Sequence, residues 1–148
     1  MNYRPTSFVL QELVPPDVFH ALGERAWELL DPRATQTLQQ LRDKFGPLTV
    51  NNWHTGGAFK ESGLRNPATP TGAKYSQHKF GRAFDCKFKN ATPKEVADYV
   101  LKAAQRFDQR EGLEFPYLTT IENPEATPSW FHFDVRAHDR YGIWIVNP

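Results

Sequence analysis

The sequence predicts one α+β domain with a small antiparallel sheet flanked by helices. Three observations predict it. Helical apolar spacing comes in a few separate blocks, strand-like alternation comes in others, and 148 residues suffice for one core without cross-links. The single cysteine, Cys86, rules out an internal disulfide, and aromatic residues at 14% supply large packing groups in its place.

Residues 1–14 read as an extended arm that Phe8, Val9, Leu10 and Leu13 pin to the body. Pro15-Pro16-Asp17 opens a helix, since proline is tolerated in a first turn, and Phe19, Leu22, Ala26, Trp27 and Leu30 continue it at helical spacing. Asp31-Pro32 marks a cap and the start of a second helix, which carries Leu38, Leu41 and Phe45 to a stop at Gly46-Pro47. Residues 48–53 alternate like a strand. Residues 54–77 are rich in Gly, Pro, Thr and Asn, and a loop of that length inside a compact domain is usually functional; it reads as the wall of a cleft.

Residues 82–88 form a strand with Phe84, Cys86 and Phe88 on one face and Ala83 and Asp85 on the other. Thr92-Pro93-Lys94-Glu95 is a capping box that starts a helix with Val96, Val100, Ala103 and Phe107 turned inward; the charged run Gln105 to Glu111 exposes its end. Residues 116–122 read as a strand and residues 123–128 as a turn. Residues 130–136 alternate again, with Phe131, Phe133 and Val135 opposite Trp130, His132, Asp134 and Arg136. Residues 142–146 close the sheet.

Net charge is +1 and no basic run or stripe is present, which excludes nucleic acid as the expected partner. No apolar stretch reads as a signal peptide or a membrane span, so membrane insertion is not expected. The expectation is synthesis in the cytoplasm, with delivery by something else if the target lies outside.

The chemistry concentrates in His78, Asp85 and His132. Two imidazoles and a carboxylate suit zinc, and three protein ligands leave a fourth position open, as in catalytic sites. Gly81 permits a tight path between His78 and Asp85, and Ala83 leaves room beside them. Isolated histidines on a surface would mean nothing; the fuller pattern Ser76-x-His78-x-x-Gly81-x-Ala83-x-Asp85 with a later Trp130-x-His132-x-Asp134 carries the argument.

That pattern resembles the zinc D-Ala-D-Ala carboxypeptidase and dipeptidase group, which includes phage endolysin peptidases and shares its fold with the hedgehog signalling domain. Ser62-Gly63-Leu64-Arg65 resembles the group's S-G-x-R segment. The resemblance implies His78, Asp85 and His132 as Zn2+ ligands and Arg65 as a cation that anchors substrate. It implies peptidoglycan stem peptides or other D-amino-acid peptides as partners. The chain departs from the group at Ser129, where many members carry an acidic base, and at Trp130, where others carry histidine.

A base must therefore come from elsewhere. Glu122 ranks first, because it ends a strand expected beside that of His132. Asp134 ranks second, as base or as partner for an imidazole N–H. Glu125 ranks third. Ser76, His54 and Trp130 are expected to line the cleft, whereas His20 and His138 read as surface residues. Cys86 reads as packing. The function expected is a zinc peptidase, carboxy- or endopeptidase, in cell-wall degradation during phage or prophage lysis, with release through a holin or carriage on a phage particle. Two alternatives stand beside it: a non-catalytic zinc domain that binds wall or builds a virion, and a cytoplasmic D-dipeptidase.

Overall fold

A computed structural model describes residues 3–104 and 113–148. The expected inward placement of Phe107 and the charged run 105–111 lie outside the described residues.

The sheet is built from β1 (Leu48–Thr49), β2 (Ala83–Phe88), β3 (Thr120–Glu122), β4 (Phe131–Asp134) and β5 (Trp144–Val146), in the spatial order β1-β2-β4-β3-β5. Phe84, Cys86, Phe131 and Phe133 form its buried apolar face. On that face lie α2 (Pro32–Phe45), which buries Ala34, Leu38 and Leu41, and α3 (Pro93–Ala104), which buries Val96, Ala97 and Val100. Phe45 meets Phe88 and Tyr99 edge-on at 5.6 and 5.4 Å, so ring contacts tie both helices to the sheet.

The helix starts follow local chemistry. Asp31 accepts from the Arg33 amide at 2.9 Å, with Pro32 in the first turn of α2. At α3, the Glu95 amide donates to Thr92 Oγ1 at 3.2 Å and the Thr92 amide to Glu95 Oε2 at 3.0 Å, the reciprocal capping box.

Three expectations change. The sheet is mixed, because β5 pairs parallel to β3. The reason is topological: β4 runs back beside β3 and its far edge is taken by β2, so the next strand starts where β3 starts and takes the free edge of β3 in the same direction. The first helix is broken: α1 (Pro16–Leu22) ends at Gly23, at φ +54°, and a 3-10 segment follows over Gly23–Leu29. The strands expected at 48–53 and 116–122 shrink to β1 and β3, as Trp53–Thr55 turns in a 3-10 helix and residues 116–119 approach irregularly.

The N-terminal arm does more than cover the core. Phe8, Leu10, Leu13 and Val14 are buried, while Val9 is exposed. Its carbonyls tie down the cleft wall: Glu12 O accepts from Asn51 N at 2.9 Å, Leu13 O from Leu64 N at 2.8 Å and Val14 O from Trp53 Nε1 at 3.0 Å. No helix among the described residues is long and apolar enough to cross a membrane.

Candidate metal centre

The second face of the sheet carries the polar groups. Asp85 on β2 lies directly opposite His132 on β4. In the β3–β4 pair, Ile121 faces Phe133, and that register continued by one residue sets Glu122 level with His132. One row across three strands therefore holds a carboxylate, an imidazole and a second carboxylate on one face.

His78 reaches this row from a 3-10 turn, Gln77–Phe80. Gly81 ends the turn at φ +68°, and a Cβ built there would stand 2.0 Å from the Leu29 carbonyl oxygen. Only glycine fits this position, and it lets the chain turn from His78 into β2.

His78 Nε2 lies 3.2 Å from Asp85 Oδ1 and 3.3 Å from His132 Nδ1, and His132 Nδ1 lies 2.8 Å from Asp85 Oδ1. All three residues are buried, and the group can hold a metal ion. The far nitrogen of each ring is anchored. His78 Nδ1–H donates to the Gly63 carbonyl at 2.8 Å, so the Nε2 lone pair points at the group. His132 Nε2–H donates to Asp134 Oδ2 at 3.1 Å. Asp134 is itself held by Arg136, whose Nε donates to Oδ1 at 2.8 Å and Nη2 to Oδ2 at 2.5 Å. Such outer partners orient a ligand ring and raise its basicity.

The electrostatics follow the contacts. Burial lowers the pKa of His132, but hydrogen bonds to Asp134 and Asp85 outweigh it and push the pKa up to about 9. Burial alone would raise the pKa of Asp85; the His78 and His132 rings reverse that and hold it well below the ordinary carboxylate range. Asp134 is held low against its burial by His132 and Arg136. Burial pushes the Cys86 thiol up, in keeping with its place in the core.

Glu122 stands at the edge of the group, with Oε1 3.8 Å from His132 Nδ1 and Oε2 accepting from Trp130 Nε1 at 3.3 Å. Asp134 faces the back of the His132 ring and is fully buried, which leaves its carboxylate no path to a substrate. Arg65 donates from Nη2 to Asp85 Oδ2 at 3.3 Å and from Nε to the Glu61 carbonyl at 2.7 Å. It braces the carboxylate as well as bordering the cleft.

The cleft over these groups has a volume of about 950 Å³ and is lined by Arg65, Ser76, Glu122 and Trp130 together with the His78, Asp85 and His132 side chains. His54 is not brought there: it is exposed on the Trp53–Thr55 turn with its ring against Trp53. His20 is also exposed, but His138 is half-buried, bonded through Nε2 to the Thr119 carbonyl at 2.8 Å.

Lys87 was not singled out from sequence, and Ser62 and Gly63 entered only through the S-G-x-R resemblance. Gly63 offers its carbonyl to His78, and a Cβ on it would meet the Leu13 carbonyl oxygen at 2.2 Å. Lys87 and Ser62 line the cleft beyond Asp85. The alternation that turns Asp85 into the cleft also turns Lys87 there, a signal visible in the sequence. No family model, no curated protein and no solved structure matches the chain.

Proposed function

We propose that this protein is a zinc-dependent peptidase of peptidoglycan stem peptides or related D-residue peptides, in a phage or prophage lysis setting. The observation that carries the reading is the convergence of His78 Nε2, His132 Nδ1 and Asp85 Oδ1, spaced 2.8–3.3 Å apart, with Glu122 beside them. Donors about 2.0 Å from a tetrahedral zinc are spaced roughly 3.3 Å from one another, so the set fits that ion. The two nitrogens and one carboxylate oxygen suit its borderline character.

When bound, zinc would supply Lewis acidity toward a peptide carbonyl and toward a water, whose pKa it lowers to about 7. The chain's own groups do the rest. Glu122 takes a proton at Oε1 and returns it to the leaving amine. Trp130 Nε1–H holds the other oxygen of that carboxylate. Asp134 and Arg136 keep the His132 ring in place from behind. Arg65 braces Asp85 from the cleft side. A cleft near the top of the roughly 300–1,000 Å³ range of ligand sites supports substrates longer than a dipeptide over the closed pocket of a D-dipeptidase.

A second reading has an observation of its own. Ser129 stands where the resembled group carries its acid, which favours a zinc-holding domain that binds wall or builds a virion without cleaving. Purified peptidoglycan decides between them. Release of D-alanine or stem fragments that chelation abolishes and zinc restores is the expected result. Stoichiometric zinc with tight wall binding and no released product would instead establish the second reading.

A further inference from the structure

The cleft contains a cation whose charge the protein does not match. Among the described residues, Arg65 is paired with Asp85 at 3.3 Å and Arg136 with Asp134 at 2.5 Å. Lys87 has no such carboxylate. Its Nζ donates to three neutral oxygens, Val50 O at 2.6 Å, Ser62 Oγ at 2.8 Å and the Asp85 main-chain carbonyl at 3.3 Å, and the Phe59 ring lies 4.1 Å away. These bonds use all three N–H groups of the ammonium and hold it in one place without neutralising it, so its pull on an anion is one of charge, and the hydrogen bond to that anion comes from Ser62. Ser62 accepts from Lys87 and keeps its own O–H to donate, for which no acceptor is found among the described residues. A fixed positive charge beside a hydroxyl donor, both on the cleft wall, is a site for an anion.

Its position bears on which anion. Lys87 follows Asp85 by two residues on the same face of β2, and its Nζ bends back to 3.3 Å from the Asp85 main-chain carbonyl, so the charge lies beside Asp85 itself. An extended peptide covers about 3.3–3.6 Å per residue. A group at Lys87 is therefore within one to two residues of a carbonyl held at the His78–Asp85–His132 group. A second anionic consideration agrees: with a divalent ion in place, Asp85 and Glu122 offset its two charges and leave Arg65 and Lys87 in excess. We propose that Lys87 and the Ser62 hydroxyl form a carboxylate-binding subsite, which selects peptides bearing a free carboxylate one to two residues from the cleaved bond. The inference rests on the peptidase reading for the word cleaved, but the subsite itself does not need turnover.

The carboxylate can be the C-terminus of the peptide or a side-chain acid, and two substrate pairs separate these sources. One pair is N-acetyl-D-alanyl-D-alanine and its C-terminal amide. The other is a C-terminally amidated peptide with D-glutamate, or D-glutamine, next to the D-alanine bond. Zinc-loaded wild-type protein should prefer the acid member of one pair by about 10- to 100-fold in kcat/KM, mostly through KM. The discriminating pair identifies the source. Lys87→Met should bring that ratio to within about 2-fold, Lys87→Arg should keep most of it, and Ser62→Ala should reduce it in part. A Lys87→Met protein that loses activity equally on acid and amide members would show a structural role and overturn the proposal. If Lys87→Met does not fold, the Lys87→Arg and Ser62→Ala ratios decide. If no peptide is cleaved, the peptidase reading fails, and titration calorimetry of the same pairs against zinc-loaded protein tests the subsite alone. Acid-selective binding weakened in Lys87→Met supports it, and equal binding of acid and amide by wild type refutes it.

Discussion

The two faces of the central sheet are made by the same strands and answer to different physics. On β4, Phe131 and Phe133 enter the core while His132 and Asp134 enter the polar cluster one residue away. All four are buried. The apolar face gains by leaving water, and its ring neighbours tolerate small shifts in angle, as the 43° tilt of Phe84 on Phe133 illustrates. The polar face loses by leaving water and recovers that cost only through directed partners: Asp134 for His132, Arg136 for Asp134, the Gly63 carbonyl for His78. A stable face can therefore be built from many sequences, whereas the polar face depends on each contact.

Breaking the polar face at its centre should have the largest effect. His132→Ala should abolish stoichiometric zinc, exceeding the roughly 10- to 100-fold affinity cost of losing an outer partner. Metal analysis after gel filtration reads this, and full zinc retention would refute the ligand set. Glu122→Gln comes next. It should keep the metal and lower kcat by about 10²–10⁴-fold; unchanged turnover would place the base elsewhere.

On the opposite face, Phe133→Ala should cost about 3–5 kcal/mol of stability by opening a cavity against Phe84. Below its lowered melting temperature the variant should still bind one zinc. Loss of zinc in a folded Phe133→Ala protein would mean that the two faces are not separable.

The smallest effect sharpens the contrast through pH, in the metal-free protein. His132 is pushed up to about 9 from an ordinary 6.5 by its carboxylate partners, against burial. Its stabilisation is therefore complete below pH 6.5 and is lost as pH rises through about 9, on the order of 3 kcal/mol at most. Asp85 and Asp134 are held below their ordinary 3.8 by the same rings and Arg136. Their contribution is present above that value and is lost on acidification. Urea midpoints measured with chelator from pH 3 to 10 should peak between about pH 4 and 6.5. A flat profile from 6.5 to 9.5 would contradict the His132–Asp134 pairing.

Short-range patterns were legible in this chain because the groups that form them are neighbours in sequence. The Asp31 cap, the Thr92–Glu95 box and the alternation around Asp85 and His132 each need only a few adjacent residues. The grouping of His78, Asp85 and His132 was legible too, through residue types and spacing. Lys87 was equally visible as a neighbour of Asp85 on the cleft side, but nothing local distinguishes a strand lysine in a cleft from one in solvent. The break at Gly23 was hidden because the apolar spacing runs straight across it, while a glycine at positive φ ends the helix.

The sequence by itself determined where helices begin, which side of each strand is apolar, and which three side chains are chemically able to share an ion. Only the tertiary structure decided that β5 runs parallel to β3, that Glu122 stands level with His132, that Asp134 sits behind the ring, and that the Gly63 carbonyl orients His78. The division has a physical cause. Propensity, capping and alternation act within a turn or two of chain. Strand order, cross-strand register and the partner of a buried polar atom depend on groups tens of residues apart, brought together only when the core closes.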